Sequence, residues 1–196
     1  MCAVADKPKL SPDDLLALPD EKSYELIDGE LVGRNMGALS SWVAGQVHNF
    51  LNQHCQANRL GWTFPADMGY QCFPDSPKTV RKPDVSFVRQ DRLPGGQLPD
   101  GWITFAPDLA VEVIWPNDSA YEVDEKIEAY LKVGVRLVWV INPHTRTVDI
   151  HSPDGPRGRL REGDELSGEE VIPGFRCPVA SIFPAPSPTE SEASRE

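Results

Sequence analysis

Two acidic residues and a lysine stand where an ordinary apolar core would exclude them. Leu109-Ala110-Val111-Glu112-Val113-Ile114 is an apolar strand interrupted by one carboxylate, and burying an unpaired carboxylate is costly. Glu112 therefore needs a partner. Strand alternation puts it on the face of Ala110 and Ile114, opposite Leu109, Val111 and Val113. Asp84 heads a second short strand, Asp84-Val85-Ser86-Phe87-Val88, and shares a face with Ser86 while Val85 and Phe87 take the other. If the two acids meet, their repulsion raises the affinity of the pair for a divalent cation, and carboxylates with water are the ligands Mg²⁺ or Mn²⁺ prefers. The alternative is that each acid pairs with a nearby Arg or Lys, or that Glu112 lies on a solvated edge. Lys126 falls at the border of a helical stripe formed by Val123, Ile127, Tyr130 and Leu131, one turn from Tyr130. Its ammonium can reach back over the sheet edge, although a lysine snorkelling past apolar neighbours would leave the same pattern. Asp108 and Asp118, at strand and loop ends, read as capping or turn residues.

These residues need elements to hold them. Ser11-Pro12-Asp13-Asp14 supplies an N-cap, a first-turn proline and two carboxylates for a short helix running to about Pro19. Asp28-Gly29 between Tyr24-Glu25-Leu26-Ile27 and Glu30-Leu31-Val32 signals a two-residue hairpin. Val43, Val47, Phe50 and Leu51 recur at helical spacing within a long amphipathic helix from about Ser40 to Arg59. Short strands are expected at Trp62–Phe64, Gly69–Phe73, Asp84–Val88 and Leu109–Ile114, followed by a second helix from Ala120 to Val133. Leu137–Ile141 is a continuous apolar run suited to a central strand, so strand, helix and strand suggest a crossover unit. Thr147–His151 adds a strand, short segments follow, and Val179–Phe183 docks as a turn of helix. The fold class is thus α/β in a mixed α+β form, with an N-terminal arm over 1–10, one domain over 11–183 and a disordered acidic tail over 184–196.

Composition narrows the function classes. The chain of 196 residues is 40% hydrophobic and 25% charged, values of an ordinary globular domain. No apolar run approaches the roughly 20 residues of a membrane span. The first residues lack a secretory pattern, so a cytoplasmic location is expected. Cys2, Cys55, Cys72 and Cys177 are scattered and read as reduced core filler. A formal net charge of −11 argues against non-specific coating of nucleic acid. One stretch runs the other way: Lys78, Arg81, Lys82, Arg89 and Arg92 face only Asp84 and Asp91. A small-molecule hydrolase built on His48, His54, His144 or His151 is disfavoured, because no two have metal-ligand spacing and no Gly-x-Ser-x-Gly elbow exists.

Arg81-Lys82-Pro83-Asp84-Val85-Ser86-Phe87-Val88, Pro107-Asp108-Leu109-Ala110-Val111-Glu112-Val113-Ile114, Asp124-Glu125-Lys126 and Gly134-Val135-Arg136-Leu137-Val138-Trp139-Val140, in this order, resemble the Uma family of bacterial proteins assigned as endonucleases. Tyr24–Val32, Asn142-Pro143, Arg146-Thr147-Val148 and Ile172-Pro173-Gly174-Phe175 extend the likeness over roughly residues 11 to 183. The resemblance implies a restriction-endonuclease-like mixed sheet flanked by helices, of the PD-(D/E)XK superfamily, hydrolysing phosphodiesters with Mg²⁺ or Mn²⁺. Carried over by position, Asp84 and Glu112 are the metal-binding acids and Lys126 the migrated lysine, whose usual place two residues after the acid is taken by Ile114. Trp115-Pro116 stands where many relatives show Ser-Pro. Glu25 or Glu30 supplies a further acid, and Arg81 and Lys82 contact the substrate backbone. The implied partner is nucleic acid, DNA in the first instance, with a homodimer as one route to cutting two strands. The competing reading is a non-catalytic nucleic-acid or protein-binding module that retains the nuclease fold.

Overall fold

The computed structural model describes residues 9–34 and 37–185. The short helix α1 (Pro12–Leu16) is closed by a reciprocal capping box between Ser11 and Asp14. It ends a turn before Pro19. The hairpin β1 (Tyr24–Ile27) and β2 (Glu30–Gly33) pairs antiparallel, with Asp28 at φ 49° and Gly29 at φ 83° forming the turn. Leu26 also exchanges backbone hydrogen bonds with Val80, which fastens the hairpin beside Arg81.

Helix α2 (Ala38–Asn58) begins two residues before the expected Ser40. It leads into a six-stranded sheet of order β3-β4-β5-β6-β7-β8: β3 (Gly61–Pro65), β4 (Val85–Arg89), β5 (Leu109–Val113), β6 (Leu137–Asn142), β7 (Thr147–Ser152) and β8 (Gly155–Leu160). Gly61 lets β3 start close against β4, since a Cβ there would lie 2.1 Å from the Val88 carbonyl oxygen. Only β5 and β6 run parallel, joined through α3 (Ala120–Lys132) as a crossover. A small pair, β9 (Glu165–Ser167) and β10 (Arg176–Pro178), completes the strands.

The sheet is covered on both faces. Val43, Val47 and Leu51 of α2 pack with Val85, Phe87, Leu109, Val111 and Trp139, together with the C-terminal Phe175, Val179 and Ile182. Ile127 and Tyr130 of α3 pack with Ala110, Val138 and Val140 on the opposite face. This is the mixed α+β architecture with an N-terminal hairpin that the sequence predicts.

Two segments differ from the sequence reading. Gly69–Phe73 forms no strand; only Tyr70 makes isolated pairings, with Arg81 and Ile103. Prolines at Pro74 and Pro77 interrupt a ladder there, and the segment is anchored by the buried Tyr70, whose hydroxyl is 2.7 Å from Ser86 Oγ. Gly155-Pro156-Arg157-Gly158-Arg159-Leu160 is a strand despite its glycines and proline, tolerated because β8 is a sheet edge with a register shift at Ile150/His151. Most of the expected arm and tail, residues 1–8 and 186–196, lies outside the described residues. Pro184 is tied in, its carbonyl accepting from Arg146 Nη1 at 3.0 Å.

Candidate active site

A cleft of about 410 Å³ opens between the hairpin, the ends of β4 and β5, and the start of α3. Asp84 enters it from the residue before β4, where its N–H donates to Val111 O at 2.9 Å. One carboxylate oxygen, Oδ2, accepts the Val113 N–H at 2.8 Å; the other, Oδ1, accepts Arg34 Nη2 at 3.1 Å. Burial, and then the charge of Glu112, push the Asp84 carboxyl from its ordinary 3.8 up to about 7.

Glu112 sits on β5 opposite Val140 of β6, on the face shared with Ala110 and away from Leu109, Val111 and Val113. Both its oxygens are engaged: Oε2 accepts Lys126 Nζ at 2.9 Å, and Oε1 accepts the Tyr130 hydroxyl at 2.8 Å. The Lys126 side chain keeps 29% of its exposure. Burial alone would lower its pKa, but Glu112, Glu25 and Asp84 outweigh that and hold the ammonium more firmly protonated than an ordinary lysine. The capping box of Ser119 and Glu122 fixes the first turn of α3, and the seating of Ile127 and Tyr130 in the core sets its rotation. Together these fix where Lys126 stands.

Of the two hairpin acids, Glu25 reaches the cleft wall and Glu30 does not. Glu25 is 2% exposed and accepts the Lys82 N–H at 2.6 Å, with Arg81 Nη1 at 3.5 Å from its other oxygen. Glu30 lies exposed on β2. Arg81 also lines the cleft, whereas Lys82 is turned away from it. Lys82, expected at the substrate backbone, is placed apart from the cleft: neighbours in extended chain point to opposite sides, and the fully buried Lys82 ammonium bonds Glu21 Oε2 at 2.5 Å and Glu21 O at 2.7 Å, 4.9 Å from the Trp102 ring centroid. Elsewhere in the basic stretch Arg89 pairs with Asp91 and Arg92 with Asp108, while Lys78 stands exposed. Asp118 accepts the Trp115 N–H at 2.7 Å as a turn residue, and Asp108 accepts the Arg89 N–H at 2.9 Å.

Three features at or beneath the cleft escape sequence reasoning. Tyr130 reads as core, although a buried tyrosine hydroxyl one turn from Lys126 requires a partner. Arg34 carries no pattern that singles it out. The Trp115 ring rests on Gly37, the N-cap of α2, where a Cβ would stand 1.7 Å from it. None of the four histidines lines the cleft.

Six carboxylates (Glu25, Asp84, Glu112, Asp118, Glu122, Glu125) face three cationic side chains (Arg34, Arg81, Lys126) around this cavity. Among the described residues, no three acids, histidines or cysteines converge to form a full ligand cage. Asp84 and Glu112 line the same cavity and the charge of Glu112 raises the Asp84 pKa, so the pair offers the one or two carboxylates through which a Mg²⁺ or Mn²⁺ ion would bind while keeping several waters.

The family model for Uma2, described as "Putative restriction endonuclease", matches residues 12–180. The chain is also similar to a solved structure described as a putative nuclease belonging to DUF820 from Anabaena variabilis ATCC 29413. The two are 21% identical with a TM-score of 0.71, over 89% of this chain and 97% of that one. At that identity the likeness shows the fold. No curated protein matches the chain.

Proposed function

Because the chain belongs to the Uma2 family, we propose that it is a divalent-cation-dependent endonuclease, hydrolysing phosphodiester bonds of nucleic acid, DNA in the first instance, in the cleft of Asp84, Glu112 and Lys126. The observation that carries this reading is the meeting of two buried carboxylates from adjacent strands at an open cleft, one of them bonded to a partly exposed lysine. Paired acids beside a lysine are poor core packing and good phosphodiester chemistry.

Asp84 and Glu112 would hold Mg²⁺ or Mn²⁺, which supplies, when bound, a water of lowered pKa and neutralises charge on the phosphate. The chain's own residues do the positioning. The Val113 N–H fixes Asp84 and the Tyr130 hydroxyl fixes Glu112, so neither carboxylate need reorganise as charge develops. The Lys126 ammonium, protonated throughout the neutral range, orients the attacking water and donates to a non-bridging phosphate oxygen. Glu25 stands behind it as a further negative charge, and Arg81 meets the substrate backbone at the rim.

The test is cleavage of mixed DNA and RNA substrates across a Mg²⁺ and Mn²⁺ titration, by the parent and by Glu112→Gln and Lys126→Met. Each variant should lose about 100-fold or more in rate. Equal rates for parent and Glu112→Gln would refute the assignment. The acidic lining of the cleft favours one second reading, a binding module without catalysis, which predicts nucleic-acid or partner binding indifferent to Mg²⁺ and to loss of Glu112.

A further inference from the structure

We propose that Arg34 is a built-in counter-cation that competes with the divalent ion for Asp84 and so sets the cation concentration at which the site loads. This rests on the nuclease reading, which makes Asp84 a cation ligand. The donors around the two acids divide into two kinds. The Val113 N–H belongs to a sheet strand and the Tyr130 hydroxyl to a fully buried side chain, so neither can leave. Arg34 is different: it follows β2 at the cleft wall, its backbone N–H held by Ser23 O at 2.8 Å and its long side chain 14% exposed.

The guanidinium spans two anchors, Asp84 Oδ1 at 3.1 Å and Ala66 O at 2.7 Å. No other carboxylate pairs with it among the described residues. Since Asp84 Oδ2 is committed to the β5 backbone, Oδ1 is the oxygen an incoming cation meets, and there it meets a fixed positive charge first. A guanidinium and a divalent ion on the same carboxylate oxygen repel, so loading requires Arg34 to swing away. Lys126 is not equivalent, because its bond is to Glu112 and it is carried on a docked helix.

The experiment is calorimetric titration of Mg²⁺ into parent, Arg34→Gln and Arg34→Ala at about pH 8.5. Glutamine keeps a polar side chain without the charge, and thermal melts in the absence of Mg²⁺ establish that each variant is folded. The expected result is tighter Mg²⁺ binding, by about tenfold or more, in both variants, as removal of a competing charge requires. Unchanged or weaker binding in a folded Arg34→Gln, with the parent binding Mg²⁺, overturns the competitor role and leaves the nuclease reading standing. Absence of Mg²⁺ binding in all three proteins overturns both. A merely structural arginine would lower stability and move the Mg²⁺ affinity down or not at all.

Discussion

Replacing Asp84 by asparagine should make this protein more stable at neutral and alkaline pH while abolishing its proposed activity. Between 3.8 and about 7 the folded chain holds a proton on Asp84 that the unfolded chain has released. Each rise in pH over that range therefore favours unfolding, until the folded carboxyl also ionises. Holding a carboxyl near 7 rather than 3.8 corresponds to about 4 kcal/mol of ionisation penalty above pH 7. Asparagine escapes the penalty and its carbonyl still accepts the Val113 N–H, but its amide faces Arg34 donor to donor, a loss of about 1 to 2 kcal/mol. The net gain at about pH 8 is then about 2 to 3 kcal/mol, shrinking to about 0 to 1 kcal/mol near pH 5.5, where half the penalty has gone. Urea unfolding of parent and variant at both pH values reads the difference through the midpoint. A variant less stable than the parent at the higher pH, or a gap that does not change with pH, would refute the claim that a buried, repelled carboxylate strains this fold.

Other perturbations follow from the same geometry. Lys82→Ala should cost about 3 kcal/mol in urea unfolding, because it strips a buried ion pair, while nucleic-acid affinity measured by fluorescence anisotropy stays unchanged. Ser119→Ala removes the N-cap of α3 and should lower stability by about 1 kcal/mol, read from the same midpoint. Gly37→Ala drives a methyl into the Trp115 ring and should cost about 1 to 2 kcal/mol with a shift in tryptophan emission; adding Trp115→Ser should restore the stability.

Much of the frame was legible because its periodicities are strong. The apolar run at Leu137–Ile141 and the stripe at Ile127 and Tyr130 become the central strand and the buried helix face, and alternation grouped Glu112 with Ala110 and Asp84 with Ser86, residues that pair across β4 and β5 on the face the structure packs against α3. What pattern could not supply was direction at single residues in irregular chain. Lys82 and Arg81 differ by one position, yet one is sealed against Glu21 and Trp102 and the other lines the cleft. The choice between Glu25 and Glu30 depends on the hairpin's attachment to Val80, a contact over a long sequence separation. Arg34 depends on two such contacts, to Ala66 and Asp84. The edge strand β8 was hidden by the glycines and proline that its position allows.

The carriage of Lys126 on the crossover helix, 14 residues from the acid it bonds, has a consequence in time. A lysine on the same strand as its acid would be in place as soon as that strand paired. Here the ammonium arrives only when α3 has docked, and Arg34 reaches Asp84 across 50 positions of chain. A nascent or partly unfolded copy holds the ingredients without the constellation, so the site comes into being only once α3 and the hairpin have both packed against the sheet.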